Sequence, residues 1–304
     1  MVEHIRLNNV NRPNAELNKK IQYAKSGSTV LTTALLVIML GYFFFPVLWL
    51  AIDTTKSTEQ LFTTPMLAFP NHWNLISNLK TLSTYKGGEF WRWIFNSVIY
   101  AVVTAVVGAL LSAMVGYVLA KYHFKGHGTV FWLVLSALMV PSAVLVVPIF
   151  ILERDLGLLN SYIGVILPML VNPFGVYFMS VYIGSTVPSE LLDAARVDGA
   201  SEFWIFVRVV LRLIFPGLVT LLLIAFIAAW NNFFLPLVLL NKSTLFPSTV
   251  GLSVWVSTIT TPGAAPLYPL VMLGSFISIF PMLILFPFLR NYISNGVLSG
   301  SLKD

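Results

Sequence analysis

Six apolar segments, near residues 30–52, 94–120, 129–151, 162–184, 213–240 and 267–289, dominate this sequence. Each carries about 20 or more mostly apolar residues, enough for a helix to cross about 30 Å of hydrocarbon. No water reaches the backbone inside a bilayer, so such segments satisfy their peptide groups by forming helices. The expected fold is an all-α integral membrane protein with six transmembrane helices. Composition agrees, because only 10% of the residues are charged, against about 25% in soluble domains. The first segment follows a long basic leader, exceeds the usual core of about 7–15 residues in a signal peptide and precedes no A-x-A site, so it reads as a retained span.

This divides the chain into a polar N-terminal segment (1–29), a six-span domain (30–290) and a tail (291–304). Most of the 18 Lys and Arg fall on the side that holds both termini and the polar loop 187–212. The opposite side carries Lys56, Lys80, Lys86, Arg92, Arg154 and Lys242, four of them in the long loop 53–93. By the excess of basic residues on the inner face, both termini and the 187–212 loop are cytoplasmic and loop 53–93 is external.

Composition also excludes chemistry. The chain has no cysteine, so disulfides, thiol catalysis and Cys-based metal sites are ruled out. His123 and His127 are four apart, but Gly126 and Gly128 argue against a helix there, so a metal site is not expected. The net charge of +6 is scattered over short loops, a mark of topology and not of nucleic-acid binding. The span interiors hold no ionisable residue, which argues against a proton relay or voltage sensor.

The spans are rich in proline: Pro46, Pro141, Pro148, Pro168, Pro173, Pro216, Pro236, Pro281 and Pro287. Each frees a carbonyl and bends its helix, as suits spans around a central path. Asn231 and Asn232 lie mid-span between Trp230 and Phe233. Amides beside aromatic rings suit the path of a neutral sugar. The simpler account is interhelical hydrogen bonding, worth about 0.6–2 kcal/mol.

Charge is densest between Ser189 and Arg212, where Glu190, Asp193, Arg196, Asp198, Glu202, Arg208 and Arg212 fall. The stretch reads as two short helices. Ser189 is placed to cap the first and Ser201 the second. Gly199 supplies the break, because it tolerates positive φ, and Glu202 sits in a first turn that favours an anion. Phe203, Phe206, Val207, Val210 and Leu211 form an apolar stripe at helical spacing.

Asp193-Ala194-Ala195, then Gly199, Val209 and Leu211, resembles the EAA loop of ABC importer permeases. Asp193 replaces the family's Glu, Val209 its Ile and Arg212 its Pro; Arg212 does not break a helix, so the second helix is expected to run directly into the next span. Further stretches are similar to the carbohydrate-importer branch, to which the smaller permease of maltose systems belongs: Phe45-Pro46, Trp93 to Ser97, Gly116 to Ala120, Met139 to Pro141, Trp230 to Asn232 with Leu235 to Leu237, and Val297 to Lys303.

The resemblance implies a type I ABC importer transmembrane domain in a bacterial or archaeal cytoplasmic (inner) membrane. It implies a homologous second permease, two copies of a cytoplasmic ATPase and an extracellular or periplasmic solute-binding protein. The 187–212 loop would be the coupling helices. In it Glu190, Asp193 and Arg196 would meet the ATPase, with Ala194, Ala195 and Asp198 beside them; Gly199 would set the interhelix angle, and Phe203 with Phe206 would anchor the loop. No G-x-x-x-x-G-K-[ST] string occurs in the chain, so ATP and Mg would bind the partner ATPase and no cofactor this chain. The rival reading is an ATP-independent facilitator or channel for small polar solutes, and it predicts flux with neither ATP nor a second membrane chain.

Overall fold

A computed structural model describes residues 12–259 and 266–298. The outermost parts of the N-terminal segment and of the C-terminal tail, residues 1–11 and 299–304, lie outside it. Among the described residues all regular structure is helical. In chain order the helices are α1 (Arg12–Asp53), α2 (Thr58–Thr63), α3 (Leu75–Thr84), α4 (Glu89–Lys121), α5 (His127–Leu138), α6 (Ser142–Asp155), α7 (Tyr162–Leu170), α8 (Pro173–Thr186), α9 (Ser189–Val197), α10 (Glu202–Leu213), α11 (Phe215–Trp230), α12 (Phe234–Leu239), α13 (Ser248–Ile259) and α14 (Tyr268–Leu298).

Three of the expected spans are single helices: α1 over Thr29–Asp53, α4, and α14 over Tyr268–Phe288. Three further helix pairs are sharply bent at their joints; α5–α6 and α7–α8 cover two more of the expected spans, while the expected 213–240 segment falls on α11 and α12. Helices α5 and α6 meet at 105°, α7 and α8 at 42°, and α10 and α11 at 83°. At 12 and 14 residues, α5 and α6 extend about 18 and 21 Å, so neither alone crosses about 30 Å. A proline marks each break. Pro141 immediately precedes α6, Pro173 opens α8 and Pro216 lies in the first turn of α11. Proline has no N–H to lose there, and its fixed φ suits a helix start. Pro46, Pro148, Pro168, Pro281 and Pro287 instead lie inside helices that continue through them.

One expectation is corrected here. The second helix of the polar loop does not run straight into the next span, because the chain turns by 83° at Ile214. At the histidines no helix joins the pair, as expected: His123 lies in the non-helical stretch that ends at Gly126, φ +89°, and His127 opens α5 with Gly128 inside it. The His127 Nε2 lies 2.8 Å from the Leu119 carbonyl, and the two histidine rings stand 6.0 Å apart.

Helix α4 is the axis of the bundle and packs chiefly on α8 and α11. Its buried face is a ladder of small residues: Ser97, Ala101, Ala105, Gly108, Ala109, Ser112, Ala113 and Gly116. The large residues Val102, Val106, Leu110 and Val118 point outward. Lipid is as apolar as leucine, so burying bulk gains little in a membrane, and small residues let backbones approach. At Gly116 the approach to α8 leaves no room for a side chain: a Cβ would stand 2.8 Å from the Met179 Cβ.

Separate apolar clusters gather at the two ends of α4. Phe90, Trp93 and Tyr100 join Leu239, Phe246, Val250 and Trp255 at its start. Tyr117 joins Met179, Ile183, Leu192, Ile205, Phe206 and Val210 at its finish.

The connection from α1 to α4 folds around Lys56. This side chain is buried, pairs with Asp53 at 3.0 Å and donates to the carbonyls of Pro65 and Met66 at 3.2 Å. Asn78 clamps the same turn by donating to the Thr54 and Lys56 carbonyls at 2.9 and 3.0 Å. Every donor of the buried ammonium thus has a partner, the condition for burying a charge at all.

Candidate functional site

The α9–α10 elbow is built by local chain chemistry. Helix α9 begins at Ser189, with Pro188 at the boundary. Ser189 is therefore the first helical residue and not the cap, because a proline already supplies the extended φ, ψ that the boundary needs. Ser201 does stand at the boundary of α10, but its hydroxyl makes no capping bond. Helix α9 ends in a Schellman turn: the Gly199 N–H donates to the Arg196 carbonyl and the Ala200 N–H to the Ala195 carbonyl, both at 3.0 Å. That turn needs a left-handed residue at its fifth position, and Gly199 supplies it at φ +80°.

The elbow is closed by side chains. The Arg196 Nη1 donates to Asp193 Oδ1 at 2.7 Å, and its Nε to Glu202 Oε1 at 2.7 Å. One guanidinium therefore ties α9 to the first turn of α10. Two tyrosines from the end of α4 complete the site. Tyr122 donates to Glu202 Oε2, as does Tyr117 at 3.4 Å. The Arg196 guanidinium lies 5.8 Å from the centre of the Tyr122 ring. Arg196 first, and Tyr122 after it, hold the Glu202 carboxyl below the usual carboxylate range. Glu202 in turn raises the Arg196 guanidinium still further.

The elbow residues named from the sequence separate into two sets. Glu190, Asp193, Ala194, Asp198, Gly199 and Phe203 are exposed, and Ala195 is half-buried. Arg196 is spent largely within the chain, on Asp193 and Glu202. The two phenylalanines part company: Phe203 is 63% exposed and Phe206 only 6%. A π-turn runs over Phe206–Val210, and the buried side of this helix carries Ile205, Phe206 and Val210. Phe206, Val210 and Leu192 pack under the bundle. Phe203 and Trp204 remain on the surface with their rings 6.3 Å apart, and Arg208 lies 4.2 Å over the Trp204 ring.

The Trp230–Phe233 cluster forms the break between α11 and α12. Trp230 is buried, stacks on Phe226 at 6.0 Å and donates to the Ser278 carbonyl at 3.2 Å. Asn231 is exposed, and its amide returns to the Ile227 carbonyl of its own helix. Asn232 donates to the Met169 sulfur at 3.5 Å and accepts from the Leu235 N–H at 3.4 Å. Phe233 is half-buried against the first apolar cluster. Trp230 and Asn232 thus bond across helices, and the Asn231 amide answers its own.

Sequence reasoning passed over a hydrogen-bonded ladder at the start of α4. The Trp93 indole donates to the Ser243 carbonyl at 2.9 Å, and Asn96 to the carbonyls of Thr244 at 3.0 Å and Phe246 at 2.9 Å. Tyr100 reaches the Leu245 carbonyl at 3.0 Å, and the Ser97 hydroxyl accepts from the Ser248 N–H at 2.8 Å. The available signal was a polar and aromatic stripe at helical spacing opening an otherwise apolar span.

Similarity to known proteins agrees with this geometry. Residues 112–299 match the model of the family described as binding-protein-dependent transport system inner membrane component. The chain is 38% identical to the arabinooligosaccharides transport system permease protein AraQ of Halalkalibacterium halodurans, over 85% of this chain and 91% of that one. It is 34% identical to the AraQ of Bacillus subtilis, over 90% and 95%. It is 26% identical to the diacetylchitobiose uptake system permease protein NgcG of Streptomyces coelicolor, over 89% and 87%. In fold it resembles a bacterial ABC transporter involved in the import of the acidic polysaccharide alginate, with a TM-score of 0.73, 22% identity, and 86% and 95% of the two chains covered. A bent-span bundle around one long small-residue helix, with a polar elbow at its end and relatives of near-equal length, places the chain in the family of binding-protein-dependent transport inner-membrane components.

Proposed function

We propose that this chain is one of two permease subunits of an ATP-driven importer for oligosaccharides or related glycosides. Its α9–α10 elbow docks in a cytoplasmic ATPase. A homologous permease supplies the other half of the path, two ATPase copies bind ATP and Mg, and a binding protein outside the membrane delivers the sugar. The chain is a transport subunit and hydrolyses nothing itself. Both termini and the elbow face the cytoplasm of a bacterial or archaeal cell.

The observation that carries this reading is the elbow. An exposed helix pair is held at a fixed angle by Gly199 and by the Arg196 ion pairs, with Phe203 and Trp204 left uncovered. A lever needs rigidity inside and a sticky face outside. Glu190 and Asp193 lie on the exposed surface to meet basic groups of the ATPase, and Phe203 offers the apolar anchor. Names of the relatives support a sugar cargo, and arabinooligosaccharides are the first to try.

The test is uptake of labelled arabinooligosaccharides by cells with and without the chain, before and after ATP depletion. The reading expects uptake that requires both the chain and ATP. Flux down a gradient in ATP-free liposomes that contain this chain alone would instead establish a facilitator.

A further inference from the structure

We infer that α4 is the transmission rod of the transporter, clamped at one end to the α9–α10 elbow and at the other to the 240–248 connection. This rests on the elbow being the ATPase contact, as proposed above.

Helix α4 runs unbroken over 33 residues, or about 50 Å at 1.5 Å per residue. No sharp break interrupts it, in contrast to the three bent pairs. At its finish, Tyr117 and the adjoining Tyr122 both donate to Glu202 on the elbow, and the Lys121 ammonium donates to the Val187 carbonyl at 2.5 Å, one residue before Pro188. These contacts flank the elbow at its entry and at its second helix. At its start, Trp93, Asn96, Ser97 and Tyr100 fasten the backbone from Ser243 to Ser248. Tyr162 on α7 donates to the Asn96 Oδ1 at 2.6 Å, so this amide uses both its donors and its acceptor.

The contacts are polar and directional at both ends, with small-residue packing between them. A displacement of Glu202 would draw on hydroxyls fixed to α4, and α4 would carry it to the far side without bending. The exposed tip beyond the ladder, Asn241 to Thr244, is where the movement would emerge. Chains of hydrogen bonds and packed side chains along a rigid element can carry coupling between two sites, and α4 joins the two clamps in that way.

The absence of cysteine permits a direct test. Lys242→Cys carries a nitroxide or environment-sensitive fluorophore in the assembled, purified complex, and the response of the label to ATP is read. Wild type should respond. Tyr122→Phe with Glu202→Gln, which loosens the inner clamp, should cut the response at least threefold while ATPase still co-purifies. Tyr100→Phe with Asn96→Ala at the other end should do the same. Because the clamps act in series, the four-residue variant should lose no more than either pair alone. A full response in either pair, or additive losses, would overturn the rod. A merely structural role would lower thermal stability and yield without a selective loss of the ATP response. Tyr122→Phe and Tyr100→Phe alone, each removing one hydroxyl, serve where the double variants fail to assemble. A wild-type label that ignores ATP, in a preparation lacking any ATPase, would overturn the elbow assignment instead.

Discussion

Arg196 and Glu202 belong to different helices, and their side chains meet at 2.7 Å across the turn that Gly199 makes. The pair turns a flexible connection between two short helices into one body. Asp193, the position that resembles the family's acidic residue, pairs with the same guanidinium. The acid expected to face outward is thereby also part of the elbow's internal frame.

The first prediction concerns pH. Glu202 has its carboxyl pKa lowered in the folded chain, chiefly by Arg196. A carboxyl of this kind contributes stability above its unfolded pKa of about 4.3 and loses it as the pH falls through the lower folded value. The side chain is about half exposed, so the contribution is small, within about 1 kcal/mol. Amide exchange across residues 194–202 should be slow and nearly constant from neutral pH to about 5, after correction for intrinsic rates, and should then accelerate as pH falls further. Glu202→Gln should abolish that acid step.

At Gly199 the cost of substitution is conformational, because an added Cβ would meet nothing within 4 Å. Gly199→Ala should destabilise the elbow by about 1–2 kcal/mol. Gly199→Asn should cost less, since asparagine visits the left-handed region more readily. Limited proteolysis between α9 and α10 would rank the variants. Equal resistance of the alanine and asparagine forms would count against the turn geometry.

Gly116 poses the opposite case, with no strained backbone and no room. A Cβ there would stand 2.8 Å from both the Met179 Cβ and the Ser180 nitrogen, so Gly116→Val should cost about 1–3 kcal/mol through overpacking. Val115→Leu, on the exposed neighbouring position, should be close to neutral. Thermal unfolding of the purified protein in detergent separates the two.

Lys56 and Asp53 are both buried. Lys56→Met leaves the Asp53 charge unpaired and should cost about 3–5 kcal/mol. Lys56→Met with Asp53→Asn should recover a large part of that loss. Protease sensitivity of residues 54–84 is the readout, and a double variant worse than the single one would refute the pairing.

The legible part of this fold was what depends on local sequence. Apolar length located the long helices α1, α4 and α14 and the bent pairs α5–α6 and α7–α8, and Gly199 between two amphipathic stretches located the elbow. The bends were less legible, because the same proline chemistry permits both a helix start at Pro141 and a continuous helix at Pro148. Asn96 and Phe246 are 150 residues apart, and no spacing rule links them. Arg196 looked like a group for a partner until the fold brought Glu202 and Tyr122 to it. Phe206 looked equivalent to Phe203 because both fall on the stripe at helical spacing, and only the packed fold separates them, with Phe206 buried beneath the bundle and Phe203 exposed.

The most direct measurement is gentle-detergent purification of the tagged chain, with mass spectrometry of the proteins that come with it. The account predicts an ATPase and a second multi-span permease, with the ATPase lost from an Asp193→Lys, Gly199→Pro variant whose spans still insert. Recovery of the chain alone or as a homo-oligomer, passing solute in ATP-free liposomes, would contradict it.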